Sequence, residues 1–559
     1  MPTDRTTTDS VPASTLQSSI PFYAIILGLV AIILSGFLFY NYTLEDSFIS
    51  FRYAEHLASG YGLGAWNVGE LPVEGYTSLL WVLILGGVKC LGVSTLTAAK
   101  IFGWAFWAAT FLLLCRFSNF VKPEDSIVLR PMQVCLIACA YCVSFPVAWY
   151  AVSGMETPLY CFALLLFIAL FFRYGSSSSF ADILAGFFVV LIRPEGAAIV
   201  LSAYGISWLL ERPKPFFRSV YLKKIGWIAL GLGCLTLWRI WYYGDPLPNT
   251  FYAKADGGID HWLLGIWYFR QAMTQGGFIV TLFPIGVIVW RYVTKQHIPR
   301  PLLLVTLLII VYWVVIIYTG GDNPYAFPYY RHFVHHVPLL LVAIMLSLSL
   351  LPKNKTIWSV LGMGVLIILF NRAPLLNSGP IKTDIESASA LFLPDTPPDL
   401  LTHQPPKAYT QWIVGTFPMS TTIAVTLAGE IPYYTGFTAI DMLGLNDRHI
   451  AHFGASSPEA VDTKSDMKYV FDRSPDLIES VITVRKVLEV LPPPKDAWRE
   501  TMERDMISDL RFQQEYLFIA NAPYDSWPRA LFIRRDFWEK LPNAAEIKVT
   551  SVLETALYQ

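Results

Sequence analysis

The chain has 559 residues, 54% hydrophobic and 15% charged, with a formal net charge of −1 and a mean hydropathy of +0.47. A soluble domain carries about a quarter charged residues, so this balance points to a membrane protein. With no basic stripe to neutralise phosphates, nucleic acid is excluded as a partner. The average conceals a partition, because apolar runs with aromatic flanks fill residues 20–371 while residues 372–559 are charged and Pro-containing. The expected architecture is a cytoplasmic tail (1–19), a polytopic α-helical membrane domain (20–371) and a soluble α/β domain (372–559). The first run, Ile20 to Tyr40, exceeds a signal-peptide core and ends without a small-residue cleavage site, so it reads as a retained spanning helix.

Further apolar runs follow at 78–93, 97–115, 131–150, 157–172, 180–192, 195–210, 225–242, 277–290, 302–318, 334–351 and 356–370. Lys and Arg concentrate in cytoplasmic loops, which tests the count. If the short run at 78–93 lies in the interface, about eleven spans alternate consistently. The inner loops then hold Arg116, Lys122, Arg130, Arg173, Arg212, Lys214, Arg218, Lys223, Lys224, Arg291, Lys295, Arg300, Lys353 and Lys355. The soluble third falls on the outer, extracytoplasmic side. All seven cysteines lie in or beside apolar segments, so no disulfide framework holds that domain. Cys135, Cys139 and Cys142 share helical spacing, but no His or acid joins them and they read as packing.

That topology gathers the unusual residues on one face. The first outer loop carries Glu45 and Asp46, then Arg52, and further on Glu74 and Tyr76. Ionisable groups at membrane depth are costly and tend to mark function, and one of two adjacent carboxylates acquires a raised pKa suited to a general base. The alternative is a solvated, charge-capped helix end. Glu156 lies between the third and fourth spans, and Arg193 and Glu195 fall where the fifth and sixth meet, placed either to pair or to hold a ligand. After the seventh span come Asn249, Tyr252 and Lys254, then Trp262, Trp267, Tyr268 and Phe269 on an expected interfacial helix. Asp322 and Arg331 join the ninth and tenth spans. A guanidinium offers paired donors in one plane, so Arg331 reads either as a phosphate clamp or as a snorkelling cation. No nucleotide loop follows a strand and no HExxH tract occurs; Gly60, Gly62 and Gly64 lack the preceding strand of a dinucleotide fingerprint.

These motifs, in this order, resemble membrane-embedded GT-C glycosyltransferases that use polyprenyl-phosphate sugars, and most of all the bacterial terminal arabinofuranosyltransferase (AftB-like) branch. The segments that carry the resemblance are residues 45–53, 72–77, 154–158, 193–196, 248–254, 320–322 with 330–331, 428–434 and 441–447. It implies a GT-C fold with interfacial helices in the first outer loop, in a bacterial inner membrane. It also implies an inverting transfer of arabinofuranose from a polyprenyl-phosphate donor to an envelope glycan or glycoprotein. Asp46 matches the base; family members often carry two aspartates there, and Glu45 is the alternative here. Arg331 and Lys254 would stabilise the phosphate, and Asp441, Asn446 and Asp447 would help hold the acceptor, the other reading being an ordinary Asx-capped turn. Some members use a divalent cation such as Mg²⁺, Mn²⁺ or Ca²⁺ and others do not.

In the soluble third, residues 411–416, 422–428 and 517–520 read as strands and 475–488 as a helix. Two rival functions remain: a protein O-glycosyltransferase with the same donor class, and a lipid-linked sugar transporter or flippase, which calls for mid-membrane charges and paired broken helices.

Overall fold

A computed structural model of the protein describes residues 22–121, 129, 131–211, 219–254, 259–321, 330–351, 407–456, 464–480, 497–523 and 530–552. The apolar runs become helices in chain order. The first five are α1 (Phe22–Leu38), α2 (Ser47–Ala58), α3 (Leu79–Cys90), α4 (Thr95–Cys115) and α5 (Pro131–Cys142). Next come α6 (Phe145–Val152), α7 (Thr157–Tyr174), α8 (Ala181–Ile192), α9 (Gly196–Glu211) and α10 (Val220–Tyr243). The segments α11 (Asn249–Lys254) and α12 (Ile259–Thr274) lead to α13 (Leu282–Val293), α14 (Arg300–Tyr318), α15 (Arg331–His335) and α16 (Val337–Ser349). Proline in the first turn starts α6, α7, α14 and α16, where its missing N–H has no helical partner to lose.

Among the described residues, α4, α7, α10 and α14 are long and apolar enough to cross a bilayer. Two bent pairs, α5 with α6 at 52° and α12 with the segment 278–293 at 95°, raise the number of spans to at most six. The eleven spans expected from charge are therefore not established by helix length. At 1.5 Å per residue the twelve residues of α8 rise about 18 Å, short of a hydrocarbon core of about 30 Å. The run at 356–370 lies outside the described residues. Only 17% of the apolar window of α10 is buried, and Trp227, Leu230, Leu237 and Trp241 point outward. An apolar surface of this kind on a long helix suits lipid. The aromatic helix α12 turns nearly at right angles to the segment after it.

Charges inside the bundle are compensated. Lys100 of α4 donates to the carbonyls of Tyr40 (2.6 Å), Tyr42 (2.7 Å) and Val152 (3.0 Å), tying α4 to the ends of α1 and α6. Gly103, on the same helix, admits Ala151 so closely that a Cβ would lie 1.8 Å from its carbonyl oxygen. At the far end of α7, Lys224 of α10 reaches Asp182 of α8 at 2.7 Å, and the Tyr204 hydroxyl donates to the same carboxylate at 2.8 Å.

The C-terminal part is α/β. A helix at Ala408–Thr416 precedes a six-stranded sheet of order β2-β1-β5-β7-β6-β8. Its strands are β1 (Thr422–Val425), β2 (Thr438–Asp441), β5 (Leu477–Ser480), β6 (Tyr516–Ile519), β7 (Ala530–Arg534) and β8 (Val549–Ser551), while β3 (Ala455–Ser456) and β4 (Lys464–Ser465) form a separate pair. β1 runs parallel to both β2 and β5, and β7 turns the rest of the sheet antiparallel. Two expectations are corrected. Residues 411–416 are helical, with Tyr409, Thr410 and Ile413 buried at helical spacing. Leu477–Ser480, expected in a helix over 475–488, is a strand paired on both edges and buried at all four positions. A strand buried on both faces shows no alternation, so its pattern mimics a buried helix. The remainder of that segment, 481–488, lies outside the described residues.

The Asp182–Lys224 pair yields a prediction. Asp182→Asn leaves a buried ammonium uncompensated and should lower stability by about 3–5 kcal/mol, whereas the double change Asp182→Leu with Lys224→Leu should recover most of the loss. Thermal unfolding in detergent reads both; an unchanged Tm for Asp182→Asn would contradict the assignment.

Candidate functional site

The turn between α1 and α2 holds the two adjacent carboxylates. Glu45 Oε1 accepts from the amides of Gly429 (2.5 Å) and Glu430 (3.0 Å), so this carboxylate fastens the sheet domain to the membrane domain. A Cβ at Gly429 would lie 2.0 Å from the Glu45 carbonyl oxygen, which restricts that position to glycine. Asp46 stands at the N-cap position of α2, half-buried, and its side chain makes no capping bond to the helix.

Around Glu45 a polar seam joins the domains. The Arg52 guanidinium is buried and donates to the carbonyls of Trp66 (2.9 Å), Phe437 (2.8 Å) and Pro432 and to Asn67 Oδ1 (3.2 Å). Asn67 in turn pairs with the backbone of Ala439, accepting its amide at 2.9 Å. Tyr53 donates to Asn446 at 3.0 Å, and Asp441 accepts from the Leu443 amide (3.0 Å) and from the Asn446 amide (2.8 Å) and side chain (2.9 Å). Asp447 caps the helix Arg448–Phe453 through the Ile450 amide, and Asn249 donates to the carbonyls of Gly444 and Leu445, both at 2.9 Å. Glu74 takes a two-point contact from Arg239 at 2.8 and 2.9 Å, Tyr76 meets the Tyr243 hydroxyl at 2.8 Å, and Tyr252 stacks on His452 at 4.3 Å. These side chains order the seam and tie the neighbouring loops to it. A cavity of about 260 Å³ opens beside it, between Arg52, Glu55, His56, Lys89 and Tyr433, and Asp46 does not line it.

A second cluster lies where α7, α9 and α15 begin. Glu156 precedes α7 and bonds Arg193 at 2.5 Å; Arg193 occupies the extended break between α8 and α9 and also bonds Glu195. The chain enters α15 through Tyr330, a non-glycine residue at φ 58°, which sets Arg331 at the head of that short helix with His332 and His335 behind it. His335 Nδ1 is 3.1 Å from the Tyr312 hydroxyl and Nε2 is 3.3 Å from Thr157 Oγ1. Burial first, then the positive charges of Arg193, Arg331 and Lys254, hold the His332 imidazole well below its usual range. Arg193, Arg331 and Lys254 thus bring positive charge to the cluster that holds Glu156 and Glu195.

The two regions are physically joined. The Leu44 amide (2.9 Å) and the Ser47 hydroxyl (2.8 Å) both donate to the Ser153 carbonyl, and Gly154 packs so tightly that a Cβ would lie 3.0 Å from that of Ser47. The turn bearing Asp46 is therefore fixed to the turn leading into Glu156. Asp322 lies outside the described residues. Tyr53, Asn67, Thr157, Tyr312 and His335 belong to these clusters without having been singled out from sequence. Only the His332–His335 spacing of one helical turn carried a readable signal, and a hydroxyl in an apolar run carries none.

Asp441 supplies a pH test. Burial raises its carboxyl to about 6, against the opposing hydrogen bonds from Asn446 and Leu443. A carboxyl raised from its unfolded value gives stability that is present below pH ~4 and lost as the pH rises through 6. The protonated-carboxyl infrared band should fade between about pH 5 and 7 in the native protein and be missing from Asp441→Asn. A family model described as a domain of unknown function (DUF8728) matches residues 401–536. No curated protein matches the chain.

Proposed function

We propose that the protein is an inverting glycosyltransferase of the GT-C type, with about eleven spans in a bacterial inner membrane and its reacting face on the extracytoplasmic side. It moves a sugar, arabinofuranose by resemblance, from a polyprenyl-phosphate donor to an envelope glycan. The observation that carries this reading is the tie between the Asp46 turn and the Arg193 cluster. The Leu44 amide and the Ser47 hydroxyl fix the turn that bears Asp46 to the turn that leads into Glu156, whose partner Arg193 lies with Arg331 and Lys254 near His332.

In this mechanism the Asp46 carboxylate accepts the proton of an acceptor hydroxyl as its oxygen attacks the anomeric carbon. The bond from that carbon to the phosphate oxygen breaks on the opposite face, and the electron pair leaves with the lipid phosphate. Arg331 and Lys254 stabilise the charge that grows there, and Arg193, held by Glu156 and Glu195, adds to the field. Because the sugar arrives on a lipid, no nucleotide-binding fold is needed. The seam residues Arg52, Asp441 and Asn446 act at one remove, by holding the sheet domain over this face.

The test uses the purified chain and a panel of polyprenyl-phosphate sugars with glycan and peptide acceptors, reading release of polyprenyl phosphate. Asp46→Asn should lower acceptor-dependent release by roughly 10²–10⁴-fold. Glu45→Gln should keep most of the turnover while loosening the domain contact, seen as faster hydrogen exchange at the Gly429 and Glu430 amides. Wild-type rates in a folded Asp46→Asn would remove Asp46 as the base. A preference for peptide acceptors would favour protein O-glycosylation, and no release from any donor would favour the transporter.

A further inference from the structure

Glu195, His332 and His335 converge at the heads of α9 and α15, with one donor atom from each lying within 4.8 Å of the other two. His332 and His335 are three residues apart on one short helix and so share a face, and Glu195 reaches them from a different chain segment. Tetrahedral ligands around a metal at about 2.0–2.2 Å are spaced by roughly 3.4 Å, so a small inward rotation of the side chains completes the set. We propose that Glu195, His332 and His335 form a binding site for a divalent transition metal of the zinc class, with one coordination position open.

Three features support it. The surroundings supply the outer partners that metal ligands need to fix their orientation. The Tyr312 hydroxyl lies 3.1 Å from His335 Nδ1, which leaves Nε2 as the ligand nitrogen, its 3.3 Å contact with Thr157 Oγ1 being exchanged for the metal, while Arg193 holds the Glu195 carboxylate and is itself held by Glu156. Two imidazoles and one carboxylate also form the donor set of open catalytic zinc sites, whereas closed structural sites use four protein ligands. The choice of metal follows from the same donors. Mg²⁺ and Ca²⁺ take oxygen ligands almost exclusively, and imidazole suits Zn²⁺ and its neighbours. The positive groups near His332 oppose any added cation. They oppose a hard ion held by charge alone more than one whose bonds to nitrogen are partly covalent.

The site is tested without turnover, so its failure would leave the transferase reading standing. The full-length chain in lipid nanodiscs, stripped with a chelator, is titrated with Co²⁺ as an optical probe and then with competing Zn²⁺. Binding of about one Co²⁺ per chain, displaced by Zn²⁺, is expected, with ligand-field bands of a low-coordinate ion. His332→Ala and Glu195→Gln should abolish those bands, while Tyr312→Phe, which keeps the packing, should weaken binding roughly 10–100-fold. Thermal unfolding of the stripped proteins confirms that each variant is folded. No stoichiometric binding by the native chain would overturn the proposal. So would binding equal to native in Tyr312→Phe together with any folded ligand variant.

Discussion

Arg193 carries a full charge into the junction of three helices with 6% of its surface exposed, and such a charge is tolerated only when compensated. Glu156 and Glu195 compensate it, and each tie fixes a piece of geometry. The bond to Glu156 sets the start of α7 against the break between α8 and α9. The bond to Glu195 closes the turn that opens α9, next to α15. Removing either carboxylate would leave a buried guanidinium half-satisfied, which costs far more than a surface ion pair is worth. Placement of the polar cluster therefore follows from one electrostatic requirement more than from the loops that connect it.

The seam between the domains follows a different rule. Irregular backbone that becomes buried must find partners for its N–H and C=O groups. Arg52 serves three carbonyls from two domains, Asn67 pairs with Ala439 in the manner of an added strand residue, and Glu45 satisfies the first amides of a short helix. Sequence placed Arg52, Asp441, Asn446 and Asp447 among substrate-binding candidates, and the structure gives each of them protein partners. A polar residue on a loop reads the same way in sequence whether it meets a ligand or the neighbouring domain.

Other features were legible to different degrees. Pairing of Arg193 with Glu195 was one of two readings open from sequence, the other being a ligand contact, and the structure shows the pair. The third member, Glu156, could not be read, since closeness across 37 positions is a property of packing. The short, broken helices explain the uncertain span count: apolar residues pack against other helices as readily as against lipid, and composition does not separate the two. Strands β1 and β6 fell within the apolar runs read as strands, whereas β5 is buried at all four positions and lay in a run read as a helix.

Lys100 bears on how the molecule is made. Its acceptors are the carbonyls of Tyr40 and Tyr42, which precede it, and that of Val152, 52 residues later. A lysine placed inside a spanning helix costs up to about 2.5–3.5 kcal/mol on insertion, and less near a helix end. Two of the three acceptors therefore stand before α4 in the chain and the third stands at the end of α6, so the Lys100 ammonium is fully satisfied only once α6 has docked beside the segment that follows α1.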